Sequence, residues 1–228
     1  MTETVSTRTD AAPRGVRMPR DERRAQLLTA ATDVFVNNGY HATVMDDIAE
    51  HAGVSKPVLY QHFPSKLELY LALLERHTAE LVRRVLAAIA ETHDNWQRVC
   101  NAVGAYFDFV DGDGKAYRLV FESDLRNQPA VQAVVEQANT ACVQAIAQAV
   151  VVDAGLDADR AWLVAVGVVG ISEHSARHWL TRRHEVPKQE AVALTAALAW
   201  KGLAGFPLQA PEPHSAGSAG LSGLQSPR

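Results

Sequence analysis

Lys56, Tyr60 and Gln61 lie four and five residues apart within A52-G53-V54-S55-K56-P57-V58-L59-Y60-Q61-H62-F63. An ammonium, a phenol and a carboxamide so spaced can donate to phosphate oxygens and to base edges, and break no covalent bond. With Ser55 as N-cap and a step of about 100° per residue, Lys56, Pro57, Tyr60 and Gln61 cover one side of a short helix. Val58, Leu59, His62 and Phe63 gather on the other side. Gln61 can donate and accept at a base edge, Lys56 can donate to guanine or phosphate, and Tyr60 and His62 can donate to phosphate. Lys66 opens the next helix, where a cation opposes the helix dipole by about 0.3–1 kcal/mol and a bound phosphate reverses that penalty. Lys56 or Gln61 alone would read as solvated surface; the set together points to recognition.

Catalytic and metal-binding readings fail on spacing. The chain has no G-x-S-x-G, no glycine loop that cradles phosphate and no paired-cysteine motif. Cys100 and Cys142 are far apart and are expected to be free thiols of a cytosolic protein. E173-H174-S175-A176-R177-H178 sets two histidines at i and i+4 without a recognisable third ligand, and E75-R76-H77 misses the Glu-x-x-His spacing of metal-binding bundles. No catalytic residue, metal or cofactor is therefore expected.

Charge restricts where a polyanion could touch. The net formal charge is −4, and residues 1–66 hold eight basic and eight acidic side chains, so the contact must be local. The longest apolar run, A161-W162-L163-V164-A165-V166-G167-V168-V169-G170-I171, is about half of a membrane span, and the N-terminus carries Glu3 and Asp10 rather than a leader. A soluble cytoplasmic protein, with no membrane partner, is expected.

The elements that must position these residues are helices throughout, because apolar residues recur at helical spacing and no stretch alternates as strands do. The first is expected over about Asp21–Asn38, ending at Gly39; a second follows Thr43, where T43-V44-M45-D46 resembles a capping box, and runs to about His51. Ile48, Ala49 and Ala52 let the third helix cross closely over the second, with Ala-Gly-Val as the turn: a helix-turn-helix. S65-K66-L67-E68 caps a long fourth helix to about Ala90, and further helices are predicted near 94–110, 115–123, 129–152, 158–182 and 187–203. Residues 1–19 read as a disordered arm and 207–228 as a disordered tail.

The block from about Arg20 to Leu74, with D33-V34-F35-V36-N37-N38-G39-Y40, T43-V44-M45-D46-D47-I48-A49 and V58-L59-Y60-Q61-H62-F63-P64-S65-K66-L67, resembles the DNA-binding domain of TetR-family transcriptional regulators. The resemblance implies an all-α homodimer bound to double-stranded operator DNA, with a DNA-binding domain over 20–66 and an effector-binding and dimerisation domain over 67–206. By the family pattern Thr43, Ser55, Lys56, Pro57, Tyr60, Gln61, His62 and Lys66 would touch that DNA. Pro57-Val58 replaces the Gly-Thr or Gly-Ala of many members, which leaves base preference open. Arg14, Arg17, Arg20, Arg23 and Arg24 either add backbone contacts or form a generic basic tail.

Y106-F107-D108-F109 and Y117-R118-L119-V120-F121-E122-S123-D124-L125 further resemble an actinobacterial branch of that family that controls fatty-acid synthesis and senses long-chain acyl-CoA. Phe107, Val110, Leu119, Phe121, Val134, Val135 and Ala138 are candidates to line an apolar effector tunnel, with core packing as the competing reading; Arg98, Arg118 and Arg126 are candidate cations at its mouth. The other function weighed is a repressor of an efflux or catabolic operon responding to a different hydrophobic ligand. The helices near 158–182 and 187–203 are expected to pair with a second subunit, Gly167 and Gly170 allowing close approach.

Overall fold

The computed structural model describes residues 18–112, 115, 119, 125, 127–182 and 185–202. Within them the chain is helical: α1 (Arg20–Ala42), α2 (Met45–His51), α3 (Lys56–His62), α4 (Lys66–Ala90), α5 (Asn95–Gly112), α6 (Pro129–Ala154), α7 (Ala158–Thr181) and α8 (Lys188–Lys201). No helix among the described residues is long and apolar enough to cross a membrane. The helix predicted near 115–123 and both predicted disordered ends fall largely outside the described residues.

α1 departs from helical geometry at Gly39, whose φ of 76° is open to glycine at little cost, so the last turn before Thr43 is set at an angle to the rest. α2 corrects the expected cap. Its N-cap is Val44, whose amide donates to Asp47 Oδ2 at 3.2 Å; the Thr43 hydroxyl instead donates back to the Gly39 carbonyl at 2.7 Å. The box is shifted by one residue because Thr43 is drawn into the bend after α1. Gly53, at φ 65°, makes the turn between α2 and α3, with its amide on the Glu50 carbonyl. Ser65 caps α4 as expected, its hydroxyl accepting from the Glu68 amide at 3.1 Å.

Among the described residues one apolar cluster runs from Leu27 and Leu59 at one end to Val169 and Ala196 at the other. α4 is the shared wall, packed on α1 at its start and on α5 and α6 along its length. Tyr70 of α4 stands edge-on to Phe35 and Tyr40 at 5.2 Å, and its hydroxyl donates to the Leu119 carbonyl at 3.1 Å. A second tie crosses the same seam: Lys115 donates to Asp33 of α1 at 2.8 Å. That hydrogen bond, more than the nearby His51, holds the Asp33 carboxyl below its usual range. The front helices are therefore fixed to the rear ones by apolar packing and by these directional contacts.

Candidate functional site

α3 is placed by its inner face. Leu59 and Phe63 are buried against Ile48, Ala49 and Ala52, and Gln26 of α1 donates to the Ala52 carbonyl at 3.0 Å, holding the turn. Val58 and His62, assigned to the inner face, sit half-buried at its margin. Ser55, Lys56, Pro57, Tyr60 and Gln61 are all exposed, Tyr60 by 47 % despite its ring. Pro57 is accommodated in the first turn, where no intrahelical donor is needed, and the Ser55 hydroxyl makes no cap bond, so it faces outward unspent. An exposed polar face with an aromatic in it, on the second helix of a helix-turn-helix, is what a major groove requires.

Lys56 is held by its neighbour. Its ammonium pairs with Asp46 of α2 at 2.5 Å, and hydrogen bonding to that carboxylate raises the lysine's pKa. The contact keeps the side chain beside α3, ready to exchange a carboxylate for a phosphate or guanine.

Two of the predicted DNA contacts are placed differently from the exposed face of α3. Thr43 has no exposed surface, so it is Val44, 51 % exposed, that faces outward at the start of α2. Lys66 is occupied: its ammonium donates to the carbonyls of Tyr40 at 2.8 Å, Thr43 at 2.7 Å and His41 at 3.5 Å, and lies 4.4 Å from the centre of the Tyr40 ring. All three donors are directed at the bend between α1 and α2. The dipole argument for a phosphate missed that the carbonyls ending one helix supply the negative charge at the start of another.

The structure describes three of the five arginines already weighed as backbone contacts. Arg20, Arg23 and Arg24 belong to the first turns of α1, and Arg20 and Arg23 share a cleft of about 690 Å³ with Gln61 and His62. Arg24 lies 4.4 Å over the Phe63 ring and is directed to the His62 carbonyl at 3.4 Å. Their helical spacing after Pro19 was the available signal; Arg14 and Arg17 lie outside the described residues. Partial burial, and then repulsion from Arg20, Arg24 and Arg23, depresses the His62 pKa. Phosphates beside those arginines would cancel the repulsion and raise it. Operator affinity is then expected to increase as pH falls from about 7.5 to about 5.5, by less than about tenfold, because the bound state takes up the proton. Fluorescence anisotropy across that range checks the sign, and His62→Gln is expected to flatten the profile.

Behind α4 lies an apolar cavity of about 390 Å³ between α5, α6, α7 and α8, lined by Ile89, Val99, Ile146, Val150, Val168 and others. Its volume is within the range of small-ligand sites, roughly 300–1,000 Å³. Of the residues singled out as cations, Arg98 stands at this cavity; Arg118 and Arg126, like Phe121, lie outside the described residues. Phe107, Val110, Leu119 and Ala138 are buried in core packing, and Val134 and Val135 pack half-buried against it. Phe107 also borders a separate 440 Å³ space with His174, His178 and Trp179. The 390 Å³ cavity is formed farther toward the helix ends, where Val, Ile and Ala from α4 to α8 meet without filling the space; no single helix reveals that. His174 Nδ1 faces the Gly170 carbonyl at 2.9 Å within its own helix.

A helix-turn-helix with an outward polar face, joined by one long helix to a larger helical domain with an apolar cavity, is the architecture of a DNA-binding regulator. The chain belongs to the TetR family of bacterial regulatory proteins: residues 27–73 match the family's N-terminal model, and residues 95–202 match a tetracyclin repressor-like C-terminal domain. It is a TetR-type transcriptional regulator, not an enzyme. It is 54 % identical over 195 residues to the HTH-type transcriptional activator FasR of Mycolicibacterium smegmatis, which covers 86 % of this chain and 89 % of that one. A TetR-like regulator from Rhodococcus sp. RHA1 superposes with a TM-score of 0.64 at 30 % identity, over 83 % of this chain and all of its own. FadR of Bacillus subtilis, crystallised with stearoyl-CoA, shares the fold with a TM-score of 0.67 at 19 % identity, over 78 % of this chain and 98 % of its own.

Proposed function

We propose that the protein is a homodimeric regulator, an activator of fatty-acid synthesis genes, whose operator binding through Ser55, Lys56, Pro57, Tyr60, Gln61 and His62 is released by a long-chain acyl-CoA. The observation that carries this is the course of α4. The helix begins at Lys66, which grips the bend entering α2, and Ile89 near its other end lines the apolar cavity. A ligand that shifts Ile89 acts through one continuous helix on the bend beside the recognition surface. It lowers operator affinity only as far as it binds the released state more tightly than the DNA-bound one. Activation is favoured by the name of the 54 % identical relative, and an acyl chain by the aliphatic cavity lining and by the stearoyl-CoA held by a protein of the same fold.

Dimerisation rests on the outer face of α7 and α8. Trp162, Leu163, Val166 and Leu194 are exposed there, Leu163 by 73 %. A side chain added at Gly167 or Gly170 would meet nothing within 4 Å, so the face is open to a close-packed partner. A two-fold dimer would present two α3 helices to a near-palindromic site.

Anisotropy with promoter DNA, paired with sedimentation of the same samples, tests the reading. Two protein chains per operator are expected, with a slope of log K against log salt near −5 if about six phosphates are neutralised, and release by stearoyl-CoA. Binding that ignores salt, or a monomer on the DNA, would count against the operator reading; salt-sensitive binding that stearoyl-CoA leaves intact would remove the effector reading alone.

A further inference from the structure

The polar groups of the 390 Å³ cavity are confined to one end. Asn95 and Arg98 come from the start of α5 and Asp153 from the last turn of α6, while the walls are aliphatic. Trp200 of α8 borders the same cavity, 49 % exposed and edge-on to Trp96 at 6.1 Å. Solvent reaches this end, where the side chains of Arg98 and Asp153 retain 19 % and 24 % exposure; Val164 on the wall is also exposed, by 44 %, while Ala102 and Ile146 are buried.

We propose that Arg98 is the anchor for the anionic head of an aliphatic ligand in this cavity, and that Asp153 is an internal competitor displaced when that ligand binds. The proposal rests on the cavity being the effector site proposed above. The two partners of the ion pair are held very differently. Arg98 Nε donates to the Thr92 carbonyl at 2.8 Å, and its terminal nitrogens lie 3.4 Å from Asn95 Oδ1 and from the His93 ring. These contacts set the plane of the guanidinium whether or not Asp153 is present. Asp153 receives its hydrogen bond from Arg98 Nη1, and it stands next to Ala154, where α6 ends. A carboxylate at a helix C-terminus faces the negative end of the dipole, so Asp153 is favoured there only by its partner.

Charge selects the ligand. An uncharged chain leaves the ion pair across the entrance with nothing to replace it. A cationic head meets the fixed guanidinium. An anionic head offers Arg98 Nη1 an equivalent charged acceptor, while Asp153 turns to water at a surface it already touches. The exchange keeps the guanidinium paired throughout and avoids an isolated half-buried charge. A fatty-acid carboxylate and the phosphates of an acyl-CoA share this chemistry, an anion carried by an aliphatic chain.

The test is titration of the full-length protein with stearate, stearoyl-CoA and stearyl alcohol below their aggregation limits, read by Trp200 and Trp96 fluorescence and by displacement of operator DNA. The wild-type protein is expected to prefer both anions to the alcohol, and the tighter of the two names the head. Arg98→Gln is expected to weaken the anions at least about tenfold, the loss of one charge-assisted pair, and to leave the alcohol unchanged. Arg98→Lys, which keeps the charge without the guanidinium plane fixed by the Thr92 carbonyl, should fall between. Asp153→Asn is expected to bind the anions more tightly than the wild type. That opposite sign separates a competitor from a merely structural ion pair, for which both substitutions weaken binding. Parallel weakening by Arg98→Gln and Asp153→Asn, or an alcohol as tight as the anions, overturns the proposal while the effector reading stands. A wild-type protein that binds operator and none of the three lipids overturns both.

Discussion

Replacing Lys56 and Gln61 together by alanine is expected to lower specific operator affinity by about a hundredfold or more, since a bidentate base contact is worth about 1–3 kcal/mol and a phosphate contact adds to it. Both side chains are exposed, while the buried Leu59 and Phe63 anchor α3. The melting temperature is therefore expected to stay within about 2 °C, as exposed substitutions usually cost under about 0.5 kcal/mol. Gln61→Ala alone should relax base preference at one operator position. Lys56→Ala should reduce the salt dependence as well, provided its ammonium leaves Asp46 for the DNA. Anisotropy with operator and scrambled duplexes measures both. Unchanged discrimination between the two duplexes in the double variant would exclude α3 as the reading helix.

Lys66→Met makes the opposite prediction. Nearly isosteric in length, methionine removes the ammonium that joins the Tyr40, His41 and Thr43 carbonyls to the first turn of α4. Leaving partly buried acceptors without a donor costs about 1–3 kcal/mol, so a fall in melting temperature of several degrees is expected, with the slope of log K against log salt unaltered. A phosphate ligand at this position would behave the other way, with stability kept and the slope smaller by about one. The operator affinity of Lys66→Met can fall in either case, because the bend it grips leads into α2. The pair of measurements, melting and salt slope, separates the two roles where affinity alone does not.

The proposed release mechanism and the proposed DNA surface meet at that same lysine. α4 carries Lys66 at one end and Ile89 at the other, and Tyr70 between them ties to the Leu119 carbonyl and to Phe35 and Tyr40 of α1. A movement of α4 therefore reaches the front helices through the Lys66 clamp and the Tyr70 contacts. Weakening the clamp should alter how much operator affinity changes for a given ligand, besides lowering stability.

Local chemistry was legible in the sequence where a few neighbouring residues settle the outcome. Helical periodicity placed α5 to α8 close to where they stand, Ser65 marked the cap of α4, Gly53 marked the turn before α3, and stepping around that helix separated Lys56, Pro57, Tyr60 and Gln61 from Leu59 and Phe63. These features depend on propensity, capping and the roughly 3.6-residue repeat, all of which operate over a few turns of one chain segment. The tertiary structure alone decided the rest. The carbonyls of Tyr40, His41 and Thr43, more than twenty residues earlier in the chain, come to the Lys66 ammonium. Thr43 vanished into the bend after α1, Arg20 and Arg23 came to flank Gln61, and the cavity formed where residues of α4 to α8 fail to fill the space between them. Each of these depends on groups far apart in the chain competing for one place, and desolvation, pairing and void volume are properties of the packed assembly of helices rather than of any one of them.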